Sequence, residues 1–172
     1  SGDYIKQVRL PFEFYNFLAM PDGYMFKTLD RQGNEHLKAY QDYTLLITDK
    51  SFKLKGASMR HLPNNINYGG YNYLYKNENR IFITQRFSDT IDQYDINSKN
   101  YSAAYYIDYT KKKLPEYLLE GSYEDFKIAI RDNDYYYFLG QFLDAGSHHA
   151  FFLENKHIAL KTVIFRDNIS GN

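Results

Sequence analysis

The 172-residue sequence has no cysteine and no tryptophan, and it contains only four prolines. Without cysteine the chain can form no disulfide, no thiol nucleophile and no thiolate metal site. Lys+Arg and Asp+Glu balance at 21 each, whereas a nucleic-acid-binding protein needs a basic surface that displaces counterions. No apolar run approaches the ~18 residues that span a bilayer. We therefore expect no nucleic-acid partner, no transmembrane segment and no cofactor.

Aromatic residues are what the sequence has in abundance, with 19 Tyr and 13 Phe. Such residues are favoured in β-strands. Tyr71, Tyr73 and Tyr75 recur at every second position, which is the period of a strand, and Asn, Ser and Asp residues mark the turns that follow. The central segment is therefore predicted to be a four-stranded meander sheet with strands Tyr71–Tyr75, Arg80–Phe87, Thr90–Ile96 and Tyr101–Tyr109.

Two weaker copies of this pattern flank the central segment. Strands of the first copy are predicted at Phe12–Met20, Tyr24–Leu29, Tyr43–Asp49 and Phe52–Met59. Strands of the third copy are predicted at Phe126–Ile130, Tyr135–Phe142, His148–Leu153 and His157–Phe165. A short helix is expected within Leu114–Asp125, after Pro115. Asp49 and Asp95 are each expected to cap the turn after a third strand.

The turns between first and second strands centre on Asp22, Glu78 and Asn133, at a nearly constant spacing of about 55 residues. One four-stranded sheet per repeat indicates a β-propeller. The predicted fold is all-β and β-propeller-like, a single domain over 1–172 with three four-stranded antiparallel meander blades at about 8–59, 71–109 and 126–166. Because propellers close with about four to eight blades, three blades cannot close a ring. Either the chain is a fragment, or it pairs with another copy, or the repeat is wrong. A three-fold sandwich of sheets is the alternative fold.

Several short motifs resemble one family. Phe87–Ile91 (FSDTI) leads into Tyr94-Asp95, Ala104–Pro115 reads AYYIDYTKKKLP, and Leu10–Phe14 (LPFEF) precedes Phe17–Phe26 (FLAMPDGYMF). Together they resemble the six-bladed β-propeller lipoproteins of Bacteroidetes, a family of unknown function. Its members are about twice this length, so the resemblance implies half a propeller. It also implies a location in the periplasm or at the cell surface, and it brings no catalytic motif.

In a propeller, the loops between second and third strands share one face with the links between blades, and loops on a rigid scaffold concentrate function. That face is predicted to collect Asp30–Asp42, Arg86–Asp89 and Asp144–His148. Arg86 could bind a carboxylate or phosphate bidentately, or it could pair with an Asp and tie its loop. Tyr43 could stack on a sugar, or it could pack within its loop. The predicted ligand-binding residues are Arg31, His36, Tyr43, Arg86, Asp89, Asp144 and His148.

Metal and catalytic roles are weaker interpretations. His148 and His149 are adjacent, so on a strand they point to opposite faces and would struggle to ligate one ion; we predict no metal site. No nucleophile-elbow motif surrounds Ser147, and no pair of Asp residues in the central segment is implied for glycoside hydrolysis. The only basic run, Lys111–Lys113, is interpreted as a solvated loop.

The sequence thus favours a non-catalytic, extracytoplasmic binding or scaffold module for a glycan, peptide or protein. A second copy of the chain, or the missing half of the propeller, would complete it. The alternative is a glycan-acting hydrolase or lyase with its site at the propeller mouth. Convergent carboxylates or histidines with raised pKa values would favour the enzyme, whereas a mouth of aromatic rings and backbone would favour binding.

Overall fold

Three antiparallel β-sheets of four, four and three strands make up most of the regular structure, with little helix. The computed structural model describes residues 7–28, 33–61, 66, 74–109 and 112–167. Contacts divide the chain into two units, Ser1–His61 and Leu62–Asn172, and each has buried apolar clusters of its own. The predicted all-β class is confirmed.

Unit 1 contains one meander sheet. Its strands follow each other in the order β1 (Asn16–Met20), β2 (Gly23–Lys27), β3 (Tyr43–Asp49) and β4 (Leu54–Arg60). Phe26 of β2 and Leu46 of β3 are register partners, and together with Phe12 they form its buried centre. A short 3-10 helix, Glu35–Tyr40, lies within the polar insert between β2 and β3.

The second sheet, in unit 2, is also a four-stranded meander. Its strands are β5 (Leu74–Asn77), β6 (Arg80–Ile83), β7 (Thr90–Asp95) and β8 (Asn100–Tyr106), in that order. The predicted turn caps are confirmed in both sheets. Asp95 Oδ1 accepts hydrogen bonds from the Ser98 backbone nitrogen at 2.7 Å and hydroxyl at 2.9 Å. Asp49 Oδ1 accepts from the backbone nitrogens of Ser51 and Lys53 in the same way.

The predicted strand Phe126–Ile130 is wrong, because the segment is helical. Helix α1 (Tyr117–Glu120) lies within the predicted Leu114–Asp125 region, and α2 spans Tyr123–Asp132. In α2 the buried residues are Phe126 and Ile130, four positions apart and so on one helical face, while Ile128 is 49% exposed. The Ser122 side chain accepts a hydrogen bond from the Asp125 backbone nitrogen and so caps the helix N-terminus.

The third sheet has three strands in the described residues, in the order β11-β10-β9: β9 (Tyr137–Asp144), β10 (His148–Asn155) and β11 (Leu160–Asp167). Three contacts fix the direction of β9 against β6. Phe87 N donates to Phe138 O, Thr84 Oγ1 donates to Gly140 O, and Arg80 lies beside Asp144. β9 therefore runs antiparallel to β6, and parallel to β5, the first strand of the second sheet.

This direction corrects the strand assignment of the third copy. Tyr135–Phe142 was predicted to be a second strand, but β9 takes the direction of a first strand. Unit 2 consequently has two distinct ends. The loop end holds the β6–β7 loop, residues 84–89, and the segment that enters β9. The hairpin end holds the β5–β6 turn and the β9–β10 turn.

Between the two sheets of unit 2 lies an aromatic core. Phe82 of the second sheet contacts Phe142 of the third, with ring centroids 5.1 Å apart. Ile91, Phe138 and Leu153 are buried in the same cluster. A second cluster at the loop end packs Phe126 and Ile130 of α2 beneath Phe87 and Tyr137. These contacts fix the β6–β7 loop and the α1 region in one unit.

Candidate functional site

A cleft of about 190 Å³ opens at the loop end of unit 2, between the β6–β7 loop and the segment that leads through α1. The side chains of Phe87 and Leu119 form the apolar part of the lining, and both are mostly buried. The remaining lining residues are polar or charged: Ser88, Asp89, Lys113, Glu116 and Glu120. A concave surface with an apolar lining and a few polar groups has the general character of a small-ligand site.

Hydrogen bonds hold the β6–β7 loop in a fixed conformation. Phe87 has a positive φ of 62°, which costs a bulky residue of order 1–3 kcal/mol. Its backbone nitrogen donates to Phe138 O at 2.7 Å. The predicted strand Arg80–Phe87 ends earlier than expected, at Ile83. Tyr109, whose pKa is raised mainly by burial, donates its hydroxyl to Ser88 O. The loop conformation is therefore held by hydrogen bonds within the protein.

Lys113 is the electrostatic centre of the cleft. Its Nζ lies 2.8 Å from Asp89 Oδ2 and 3.5 Å from Glu116 Oε1. The hydrogen bond from Lys113 lowers the pKa of Asp89 below its ordinary value, and the same bond raises the pKa of Lys113. Both groups are thus ionised at neutral pH. With Glu120 on the rim, the cleft presents three carboxylates around one ammonium.

Only part of the predicted ligand-binding set meets at this cleft. Asp89 lines it, and Arg86 is half-buried in the same loop. His36 and Tyr43 lie in unit 1. The His36 ring donates from Nε2 to Pro11 O, and the Arg60 guanidinium lies 5.6 Å above the Tyr43 ring. Arg31 is outside the described residues.

Asp144 and His148 do not share a face with Asp89, so the predicted single face is wrong for them. They flank the β9–β10 turn at the hairpin end, because β9 runs as a first strand. Asp144 is buried, whereas His148 is exposed and hydrogen-bonded to the Ser147 hydroxyl at 2.8 Å. Their roles as ligand-binding residues stay predictions.

The cleft residues missed by sequence reasoning include Lys113, Glu116 and Leu119. Lys113 belongs to the basic run that was interpreted as a solvated loop, yet it bridges two carboxylates. The available signal was the helix start after Pro115, which places Glu116 and Leu119 one turn apart. That spacing brings them to the same side of α1 as the lysine that precedes it.

Within the described residues, no group of three or more His, Cys, Asp or Glu side chains could hold a metal ion. No helix in the described part of the chain is long and apolar enough to cross a membrane.

Comparison with known proteins gives a likeness of fold alone. No family model and no curated protein matches the sequence. A crystal structure from Bacteroides fragilis, of a protein described as a candidate exported protein, is similar with a TM-score of 0.61 and 16% identity. The match covers 96% of this chain and 46% of that chain. The chain therefore spans less than half the length of the solved structure that it resembles.

Proposed function

We propose that this chain is a non-catalytic binding module that works outside the cytoplasm and takes a small polar ligand, a glycan or a peptide segment, in the loop-end cleft. The observation that carries the proposal is the cleft itself, with its apolar lining, its fixed loop and its Asp89–Lys113–Glu116 charges. Preformed sites of this kind lose little conformational entropy on binding.

The protonation state of Asp89 does not suit this residue to the general-acid role of a glycoside hydrolase. Glycoside hydrolysis needs one carboxylic acid that is protonated and can donate to the leaving group. Asp89 has the opposite perturbation, because Lys113 lowers its pKa. It is suited to accept hydrogen bonds from hydroxyl or ammonium groups of a ligand. A hydrolase or lyase acting on glycans remains the alternative outcome of the test below.

The test is ligand screening by amide chemical shifts on the 172-residue chain, with neutral, acidic and amino oligosaccharides and short basic and acidic peptides as probes. We expect one class to shift the amides of Ser88, Asp89 and Lys113. Lys113→Met should weaken that binding about tenfold or more, by loss of a charged contact. Lys112→Met is the matched control and should bind as wild type, because Lys112 pairs with Asp134 outside the cleft.

Two results would overturn the proposal. One is that no probe shifts the cleft amides, or that shifts gather elsewhere. The other is cleavage of an oligosaccharide during the screen, with activity lost in Asp89→Asn, which would establish the enzyme instead.

We also propose that the three sheets are blades of a six-bladed propeller, of which this chain is half. Two four-stranded meanders, and the similarity to a solved chain about twice as long, support this idea. The candidate exported status of that neighbour supports a periplasmic or surface location. Light scattering on a sizing column is the test. A dimer of two half-propellers is expected, and a well-behaved monomer would contradict closure by a second copy.

A further inference from the structure

The hairpin end of unit 2 contains a buried His–Asp pair that takes no part in the cleft. His149 of β10 and Asp144 of β9 are register partners. Their exposures are 3% and 1%. Among the described residues, the two ring nitrogens of His149 have no hydrogen-bond partner. The same is true of the Oδ2 atom of Asp144. Buried polar atoms without partners are rare in folded proteins and call for an explanation.

Both side chains lie at the contact between the two sheets. The His149 ring packs against Tyr105 of β8, with centroids 4.3 Å apart, and its centroid is 6.3 Å from that of Phe142. The backbone oxygen of Asp144 accepts hydrogen bonds from Tyr75 Oη at 2.8 Å and Asn77 Nδ2 at 3.4 Å. The β9–β10 turn is thus attached to the β5–β8 sheet through these two residues.

The charged groups around His149 come from four strands. Asp144 on β9 is the one anion among them. Arg80 of β6 has its guanidinium 3.6 Å from Asp144 Oδ2, Arg166 of β11 is the register partner of His149, and His148 is its neighbour on β10. Protonated His149 would therefore face one carboxylate and two guanidinium groups.

Burial is the largest influence on His149, and it disfavours the charged ring. Asp144 favours protonation, whereas Arg166, Arg80 and His148 oppose it. The net result is that the pKa of His149 lies below its ordinary value. The neutral ring packs on Tyr105 as an aromatic surface, without a charge to solvate.

We infer that the His149–Asp144 pair is a pH-sensitive latch, which holds the β9–β10 turn against the β5–β8 sheet when His149 is neutral and loosens when His149 takes up a proton. The unfolded chain binds that proton more readily than the folded one. Stability from this site is therefore complete above the ordinary histidine value of about 6.5 and is lost as the pH falls below it.

The experiment compares thermal unfolding of wild type and His149→Phe across a pH series. A phenyl ring keeps the packing on Tyr105 and Phe142 and cannot titrate. Between about pH 7.5 and pH 5, we expect the wild-type Tm to fall by about 2–4 °C more than the Tm of His149→Phe. His148→Gln, a change at the exposed neighbour, should alter the wild-type profile only slightly, because His148 is the smallest of the influences on His149.

Two direct readouts keep the inference testable even where a variant folds poorly. In wild type, the ring proton signals of His149 should titrate below the ordinary range, and Asp144→Asn should lower that midpoint further because it removes the anion that favours the protonated ring. Protection factors of the amides in 144–149 should fall on acidification before those of β6 and β7. A His149 midpoint at or above the ordinary value, or equal pH profiles for wild type and His149→Phe, would overturn the latch.

Discussion

Asp89 and Lys113 are joined by a contact of 2.8 Å between Oδ2 and Nζ, which ties the β6–β7 loop to the segment before α1. The side chains are 46% and 39% exposed, so solvent screens the pair and its contribution to stability is under about 1 kcal/mol. Its clearer effect is on the pKa values, because it lowers the pKa of Asp89 and raises the pKa of Lys113.

Lys113→Met should therefore raise the pKa of Asp89 toward its ordinary value, and Lys112→Met should leave it unchanged. Lys112 instead lowers the pKa of Asp134, through its hydrogen bond to that carboxylate. Carboxyl-carbon NMR titrations of both variants check this crossed pattern. Because the folded pKa of Asp89 is lowered, the stability from the pair is present above about pH 4 and is lost on further acidification. An unchanged Asp89 midpoint in Lys113→Met would contradict the assignment.

Replacing Gly23 by alanine should strongly destabilise unit 1. A Cβ atom at Gly23 would lie 1.8 Å from the backbone oxygen of Thr48 on the paired strand β3, and a backbone atom cannot move aside cheaply. We expect a loss of about 3 kcal/mol or more, at the upper end of overpacking costs, measured as a shift in the urea midpoint. Gly56→Ala is the matched control, because nothing lies within 4 Å of its Cβ position. Equal midpoints for the two variants would refute the close approach.

The cap of α2 offers a test of the helix that replaced a predicted strand. Ser122 Oγ accepts from Asp125 N at 3.1 Å and also bonds to the Asp125 carboxylate at 2.7 Å. Ser122→Ala should cost about 1 kcal/mol in urea unfolding, with loss of helical signal at 222 nm. Ser102→Ala, at an exposed position on β8, should change stability by less than about 0.5 kcal/mol. A strand at 126–130 would show no such difference.

Helix α2, part of which was predicted to be a strand, shows where sequence patterns are ambiguous. Phe126, Ile128 and Ile130 alternate as in a strand, but Phe126 and Ile130 also fit a helix at a spacing of four, and periodicity alone could not separate the two over five residues. The local signal that favours a helix here is the capping pair formed by Ser122 and Asp125. For β3, by contrast, turn segments lie on both sides of Tyr43–Asp49 and predicted where the strand begins and ends. The structure has the same bounds.

Only part of the cleft could be predicted from the sequence. Asp89 stood in a loop between two well-marked strands, so its exposure near the sheet end followed from the pattern. Lys113 reaches the cleft because β9 begins at the loop end of unit 2. Tyr136, the residue before β9, donates a backbone hydrogen bond to Lys112, the neighbour of Lys113. That is a long-range pairing, and no local pattern in the sequence encodes it. The same error in strand count placed Asp144 and His148 at the wrong end.

Two buried threonines separate the value of a hydrogen bond from the value of burial. Thr84 and Thr44 are each 2% exposed. Thr84 Oγ1 donates to Gly140 O at 2.8 Å, a bond between the two sheets of unit 2, whereas Thr44 Oγ1 has no partner in the described residues. Thr84→Val would remove the hydrogen bond to the Gly140 oxygen and should cost about 1 kcal/mol, while Thr44→Val removes an unpaired hydroxyl and should be neutral or stabilising. Valine keeps the β-branched shape in both, so urea midpoints compare the hydroxyls alone. If both variants lost the same stability, the inter-sheet bond at Thr84 would contribute nothing beyond side-chain packing.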